Sequence, residues 1–537
     1  MIRIALVFAA ISMLAVTQPV AASELMSPEV ARQLGFTEAW RRPINAPFGA
    51  QSIADQQLFV HQTDPLEYIE IVSAESATPA PNESQPAPDS ESESESAVAS
   101  NSETNIPAPQ VFGRIEVGRM GKETVEANRT EAMRQANNEI RRLKRRGIAA
   151  VTQTRKVPRV NLYSLATNGA LESRNAETGE LNWTVMVGDS RLPFFAIGVD
   201  DEYLSIVNGS NIIQVDVTNG EVLHERRTRG TPLYGAVNAG DFVMIPMVSG
   251  NVEGYPLFDL TRDPFLRSVL GSSLAMPTKA EDSSLFAWGT DQGYVFVAES
   301  SGKPHLLFRL KTDGNVHGRI ASAPGNRFFF GSESGQVYGL RATRTGEVMW
   351  SQPFAEPFYN EPAVVGDQVL LSSVYGTLVS FDAETGFPTW EQPVSNVATL
   401  FGAFDGRLYV TTMSDALAVI DLETGKQIGV YPELRPEHPI INKQTDRIYL
   451  VSTAGEVQCL RPEGADLPTF ITAPDIQTST ETADKPSDKP SGKSPFDAGD
   501  EPPAMEIPED PFGAGGGDDP FGAPGDAFGG DDPFAQP

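Results

Sequence analysis

The chain has 537 residues, a single cysteine and a formal net charge of −30, from 41 basic against 71 acidic residues. One cysteine excludes an intramolecular disulfide. The acidity argues against nucleic acid as a partner, because phosphate would be repelled.

Met1-Ile2-Arg3, an apolar run over 4–16 and the small residues Val20-Ala21-Ala22 predict a secretory signal peptide over 1–22. An uncleaved N-terminal anchor is the competing reading. No later apolar run is long enough to cross a bilayer as a helix. The mature chain is therefore expected to be exported to the periplasm or cell envelope without a transmembrane segment. No cysteine stands directly after the cut site, so no lipid attachment is expected.

Residues 23–73 read as a short helix over 28–36, then Trp40, then a strand pair at 57–60 and 67–72. Residues 74–110 form a Ser/Pro/Glu linker with seven acids, and no Lys or Arg occurs from 43 to 113. Low hydrophobicity and like charge leave too little apolar surface to offset ordering entropy, so disorder is expected there. Residues 111–157 predict a strand near 112–117 and an amphipathic helix over 122–146, with Ala132, Ala136, Ile140 and Leu143 on one face. Its basic end, Arg141-Arg142-Leu143-Lys144-Arg145-Arg146, opposes the helix dipole, and Gly147 is a suitable stop. The alternative is that this cluster meets a membrane surface or an anionic polymer.

From 158 to 463 one unit recurs. Second strands begin near Ala170, Asn211, Val252, Tyr294, Gln336, Thr377, Ala416 and Glu456, with gaps of roughly forty residues, which predicts a β-propeller. The fold class expected is all-β, an eight-bladed propeller (seven as the alternative) with a small α/β N-terminal extension and disordered acidic segments. Alternation such as Arg407-Leu408-Tyr409-Val410 fits strands. Five of the units turn at Gly179, Gly220, Gly346, Gly386 and Gly425, where positive φ carries no Cβ clash. Thr178, Thr345, Thr385 and Thr424 precede these glycines with hydroxyls that can bond local backbone. Four residues after the glycine, Trp183, Trp350 and Trp390 are expected to pack between neighbouring blades, contributing about 2–3 kcal/mol each. The units near 250–255 and 293–298 lack this ending, and the last unit stops after Leu460. An unpaired edge would invite aggregation, so a closing strand is expected from 157–160, from 112–117, or from the hairpin 57–60 with 67–72. Cys459, on an apolar strand, reads as a buried small hydrophobe.

Residues 464–537 are an acidic Gly/Pro-rich tail, expected to be disordered, with eleven acids and no base from 494 onward. Phe496, Phe512, Phe521, Phe528 and Phe534 recur there, mostly as Asp-Pro-Phe. Spaced Phe residues can dock in shallow apolar pockets, several copies raising effective concentration. The other reading is a solubilising low-complexity segment.

The pattern A-x-D-x-x-T-G-x-x-x-W appears as Ser380-Phe381-Asp382-Ala383-Glu384-Thr385-Gly386 with Trp390. It recurs, without the Trp, as Val419-Ile420-Asp421-Leu422-Glu423-Thr424-Gly425. It resembles the repeat of the quinoprotein-type (PQQ-like) β-propellers. That resemblance implies one of two things. The first is a dehydrogenase holding a quinone between a Trp floor and a vicinal disulfide, with Ca²⁺ and an Asp base. The second is a non-catalytic, BamB-like protein-binding propeller. A single cysteine cannot form the vicinal disulfide. His61, His224, His305, His317 and His438 show no metal-ligand spacing, and no oxygen-ligand cluster stands out. Gly331-Ser332-Glu333-Ser334-Gly335 carries Glu where a nucleophile elbow needs Ser. The expectation is a monomeric, non-enzymatic scaffold without cofactor or metal, binding protein partners in the cell envelope. The alternatives are a PQQ-dependent dehydrogenase and a carbohydrate- or wall-binding propeller.

Overall fold

A computed structural model describes residues 24–74 and 110–471, apart from 64, 123, 433 and 437. The expected signal peptide, nearly all of the Ser/Pro/Glu linker and all five tail Phe residues lie outside the described residues.

The middle strands are buried on both faces and so read as continuous apolar runs. Arg327–Gly331 buries Phe328, Phe329 and Phe330 completely, and Phe242–Pro246 is buried throughout. Outer strands face solvent on one side and alternate, as in Leu181–Met186, where Trp183 is buried between exposed neighbours. Stacked in chain order, such strands form antiparallel sheets of inner, second, third and outer strand. The second sheet, for example, is Gly198–Val199, Tyr203–Asn208, Asn211–Asp216 and Val222–Arg227. Among the described residues eight sheets follow this blade plan, seven with four strands and one with three. The three-stranded one is Ala363–Val365, Gln368–Ser372 and Leu378–Asp382. Its outer segment makes only isolated bridges, Phe381 to Pro388 and Leu378 to Val394, because Pro388 and Pro393 cannot donate to a ladder. Inner strands of successive sheets lie side by side, and that of the first sheet, Ile53–Val60, touches that of the last, His438–Ile440. The architecture is a β-propeller.

Ring closure differs from expectation. None of the three segments proposed for it supplies the last outer strand. Phe36–Pro43 does, pairing antiparallel along Glu456–Pro462 from Phe36 opposite Pro462 to Pro43 opposite Glu456. Nor do 57–60 and 67–72 form a hairpin. Ile53–Val60 is the inner strand of the first blade, paired with Val160–Ala166, whereas Leu66–Ser73 belongs to a separate sheet. The expected boundary at 158 is thus corrected: two strands upstream of it are parts of blades.

The described residues between 66 and 157 form a module inserted between the inner and second strands of the first blade. Its sheet has the order Val111–Glu116, Leu66–Ser73, Ala150–Val157, and the helix Val125–Arg145 packs on it. Ala132 and Ala136 are fully buried against Ile69 and Ile71, so the helix approaches the sheet closely through small residues. The helix starts three residues later than expected because the Thr124 side chain accepts from the Ala127 N–H. Among the described residues no helix is long and apolar enough to cross a membrane.

Candidate functional site

The motif residues lie at the seams between blades. Asp382 Oδ1 accepts from the Thr385 N–H (2.7 Å) and hydroxyl (2.6 Å), and the Gly386 N–H donates to the Asp382 carbonyl (2.8 Å). Asp421 repeats this with Thr424 and Gly425 at 2.7, 2.6 and 2.9 Å. Hydrogen bonds from Thr385 and Thr424 hold both carboxyls below the usual aspartate range. Asn175 fills this role before Thr178 and Gly179, and Asp216 before Gly220. Ala342 occupies the position ahead of Thr345, and there the Gly346 N–H bonds the Thr343 carbonyl instead.

Each such glycine lies under an aromatic ring of the preceding blade. A Cβ on Gly220 would lie 2.6 Å from the Trp183 ring, and one on Gly425 2.6 Å from Trp390. Trp350 covers Gly386 in the same way. Each indole N–H donates across the seam: Trp183 to Val217 (2.8 Å), Trp350 to Ala383 (3.0 Å) and Trp390 to Leu422 (2.9 Å). Two further members of the set are absent from the expected list. Phe308 covers Gly346, and Trp40 covers Gly179, its indole donating to Ala176 at 2.8 Å. Trp40 is therefore the seam tryptophan of the last blade, delivered by the closing strand. Buried Arg447 strengthens the same seam, reaching Glu177 of the first blade and Asp446, both at 2.8 Å. The remaining seams depart from the pattern. His224 stands at the Trp position of the second blade, where Arg226 bonds the Leu260 and Arg262 carbonyls instead. Gly429 stands there in the seventh, where Phe36, Phe404 and Tyr409 fill the gap beside the helix Pro28–Gln33.

The axis is lined by charge. Lys443 Nζ lies 3.0 Å from Glu361, Arg319 lies 3.9 Å from it, and Asp55 accepts from the Ile197 N–H at 2.8 Å. Burial pushes Asp55 up. Burial acts on Glu361 in the same sense, but Lys443 and Arg319 outweigh it and hold the carboxyl below its ordinary range.

The quinone implied by the family resemblance can be tested against these residues. Four of the five tryptophans are committed to seams, and Trp288 is buried between Phe286 and Phe296. Cys459 is completely buried beside Trp40 and Tyr449, and burial pushes its thiol up. Neither a Trp floor nor a sulfur clamp is available, so the residues do not fit that group. Among the described residues no cluster of three His, Cys, Asp or Glu is arranged to hold a metal.

One end of the propeller carries a different kind of surface. Because strands alternate in direction, the turns from second to third strand share an end with the connections that lead to the next blade. On that end Tyr375 is 71% exposed, Met413 55% and Tyr359 48%, with Val374 beside them. Neighbouring blades bring them together. The Val374 N–H donates to the Pro357 carbonyl (3.0 Å), and Asn360 donates to Ser372 (2.9 Å). The Met413 side chain lies against Gly376, and the His317 ring lies tilted beside that of Tyr359, their centroids 4.6 Å apart. His317 in turn contacts Glu333 at 2.9 Å, a bond that lowers the Glu333 carboxyl. This aromatic and methionine patch spans the fifth to seventh blades and was not read from the sequence.

A family model described as outer membrane protein assembly factor BamB matches residues 291–429. Among solved structures, BamB from Moraxella catarrhalis is 17% identical, covering 56% of this chain and 93% of its own, with a TM-score of 0.45. The computationally designed Ika8 protein is 14% identical over 56% of this chain and 92% of its own, at 0.43. The Saccharomyces cerevisiae protein Sqt1 is 10% identical over 56% and 92%, at 0.44. No curated protein matches the chain. The matched stretch includes the two most complete copies of the Asp–Thr–Gly turn, at Asp382 and Asp421, and over that stretch this β-propeller is similar to the PQQ-like propellers.

Proposed function

We propose that this propeller is an exported, non-enzymatic scaffold of the cell envelope that binds a protein partner through the patch of Tyr359, Val374, Tyr375 and Met413. The observation that carries the reading is the contiguity of two exposed tyrosines and a methionine on one end of the ring. Large exposed apolar side chains cost solubility unless a partner covers them, and Tyr and Met are enriched where proteins meet. The rigid blades hold the patch in place, so little ordering entropy is lost on binding. The apolar leader sequence supports export, and the match to a BamB family model supports an envelope setting.

A photo-crosslinking amino acid at position 375, compared with one at Phe387 on the opposite end, tests this in native envelopes. The expected result is one discrete adduct from 375, lost in Tyr359→Ala and absent from 387. No adduct from 375, or the same adducts from both positions, would contradict it. Quinone- and Ca²⁺-dependent dye reduction by the purified protein would sink the non-enzymatic part.

A further inference from the structure

The seam between the third and fourth blades is built differently from its neighbours. Phe265, opposite Gly254 in the outer strand Phe265–Ser268, stands where Trp183 and Trp350 stand in their own blades. It packs against the cluster of Phe286, Trp288 and Phe296. No ring covers the glycine of the next blade's turn: a Cβ on Gly302 would have no atom within 4 Å. Between the two outer strands of this seam lies a groove of about 370 Å³. Val269 and Leu270 line it from the third blade, and Phe296, Leu306 and Phe308 from the fourth. Leu270 is 47% exposed, so part of this apolar lining faces solvent.

The charge around the groove has one sign. Arg267 and Arg309 line it, one from each blade, both exposed and without a carboxylate partner among the described residues. The Arg309 guanidinium lies 5.5 Å from the centre of the Tyr294 ring, and the Lys311 ammonium 4.5 Å from it. No described Asp or Glu lines the groove, and the neighbouring Asp291 carboxylate accepts from the Ser272 N–H (3.0 Å). In a protein of net charge −30, an apolar groove flanked only by cations selects for an acidic occupant. Its volume is at the low end of the ~300–1,000 Å³ typical of small-ligand pockets, room for one or two side chains rather than a folded surface. Phe265–Ser268 is also the last strand of its sheet among the described residues, so its outer edge can pair with an extended chain.

We propose that this groove is a second docking site, which takes an extended acidic segment of a protein partner. One apolar side chain enters the groove, and carboxylates two residues to either side of it pair with Arg267 and Arg309. The spacing follows from strand geometry, because alternate side chains of an added strand face the same way.

The test titrates the full chain into a fluorescein-labelled peptide, Gly-Glu-Ser-Phe-Ser-Glu-Gly, and reads anisotropy. The expected result is saturable binding, weakened about fivefold or more by Arg267→Gln with Arg309→Gln. Leu270→Ser should weaken it about tenfold by truncating the apolar wall. All three side chains are exposed, so both variants should melt as the parent does. The rearranged peptide Gly-Ser-Glu-Phe-Glu-Ser-Gly, whose acids would face away from the groove, should bind more weakly. Absence of saturable binding, equal binding by the folded variants, or equal binding of the two peptides would overturn the proposal. Phenylacetate displacing the peptide at the peptide's own affinity would also overturn it, assigning the groove to small carboxylates. Tyr375→Ala should bind the peptide as the parent does, so this idea and the patch of Tyr359 and Tyr375 can fail separately; lost binding in that variant would place the peptide on the patch and overturn the groove.

Discussion

Gly425 has two separate reasons to be glycine: its φ of 70° and the Trp390 ring, 2.6 Å from where a Cβ would stand. Gly425→Ala should therefore destabilise by more than the ~1 kcal/mol that positive φ alone costs, because the ring must also move. Trp40→Ala removes both the ring on Gly179 and the bond to Ala176, and should cost about 3–5 kcal/mol in denaturant unfolding. A loss under 1 kcal/mol would show that the closing seam is not held in this way. Asp382→Ala should cost about 1 kcal/mol at neutral pH, as loss of a side-chain cap does. The sign with pH follows from the Asp382 carboxyl being lowered in the folded state. Its contribution is present above the unfolded value near 3.8 and is lost as pH falls through the lower folded value. The gap between parent and variant should therefore narrow in acid. A gap independent of pH would assign the effect to packing. Trp183, Trp350 and Trp390 were legible because glycine and ring recur at fixed local spacing, even though each ring covers the glycine of the following blade. Trp40 was not, because 136 residues separate it from the carbonyl it bonds.

At the scale of elements, the first and last blades show what local pattern conveys and what it omits. Strand type was readable from alternation and turn glycines. Partner choice was not, because Phe36–Pro43 and Ile53–Val60 pair with strands more than a hundred residues away. Register supplies a test. Val60 lies opposite Val160, so the ends of these strands already face each other across the root of the inserted module. Replacing 61–159 with a tight turn should leave a propeller that melts cooperatively. Deleting 24–43 should instead expose the Glu456–Pro462 edge and cause aggregation. Cooperative, monomeric melting of the second variant would contradict closure by this strand.

For the whole molecule, the ring does two kinds of work. Seams built from Trp, Gly and Asp hold neighbouring blades in fixed relation. That rigidity lets side chains with no sequence relationship form one surface. Tyr359, Tyr375 and Met413 follow no period, and only the juxtaposition of blades brings them together. Composition could not have revealed the patch, since scattered exposed apolar residues are ordinary on protein surfaces. The most direct test of the scaffold reading is the affinity of the partner crosslinked at position 375 for the purified protein and for the triple variant Tyr359→Ala, Tyr375→Ala, Met413→Ala. Three such truncations in one interface should weaken binding at least about a hundredfold, with melting unchanged because all three side chains are exposed. Equal affinity of parent and variant, with both folded, would contradict the account.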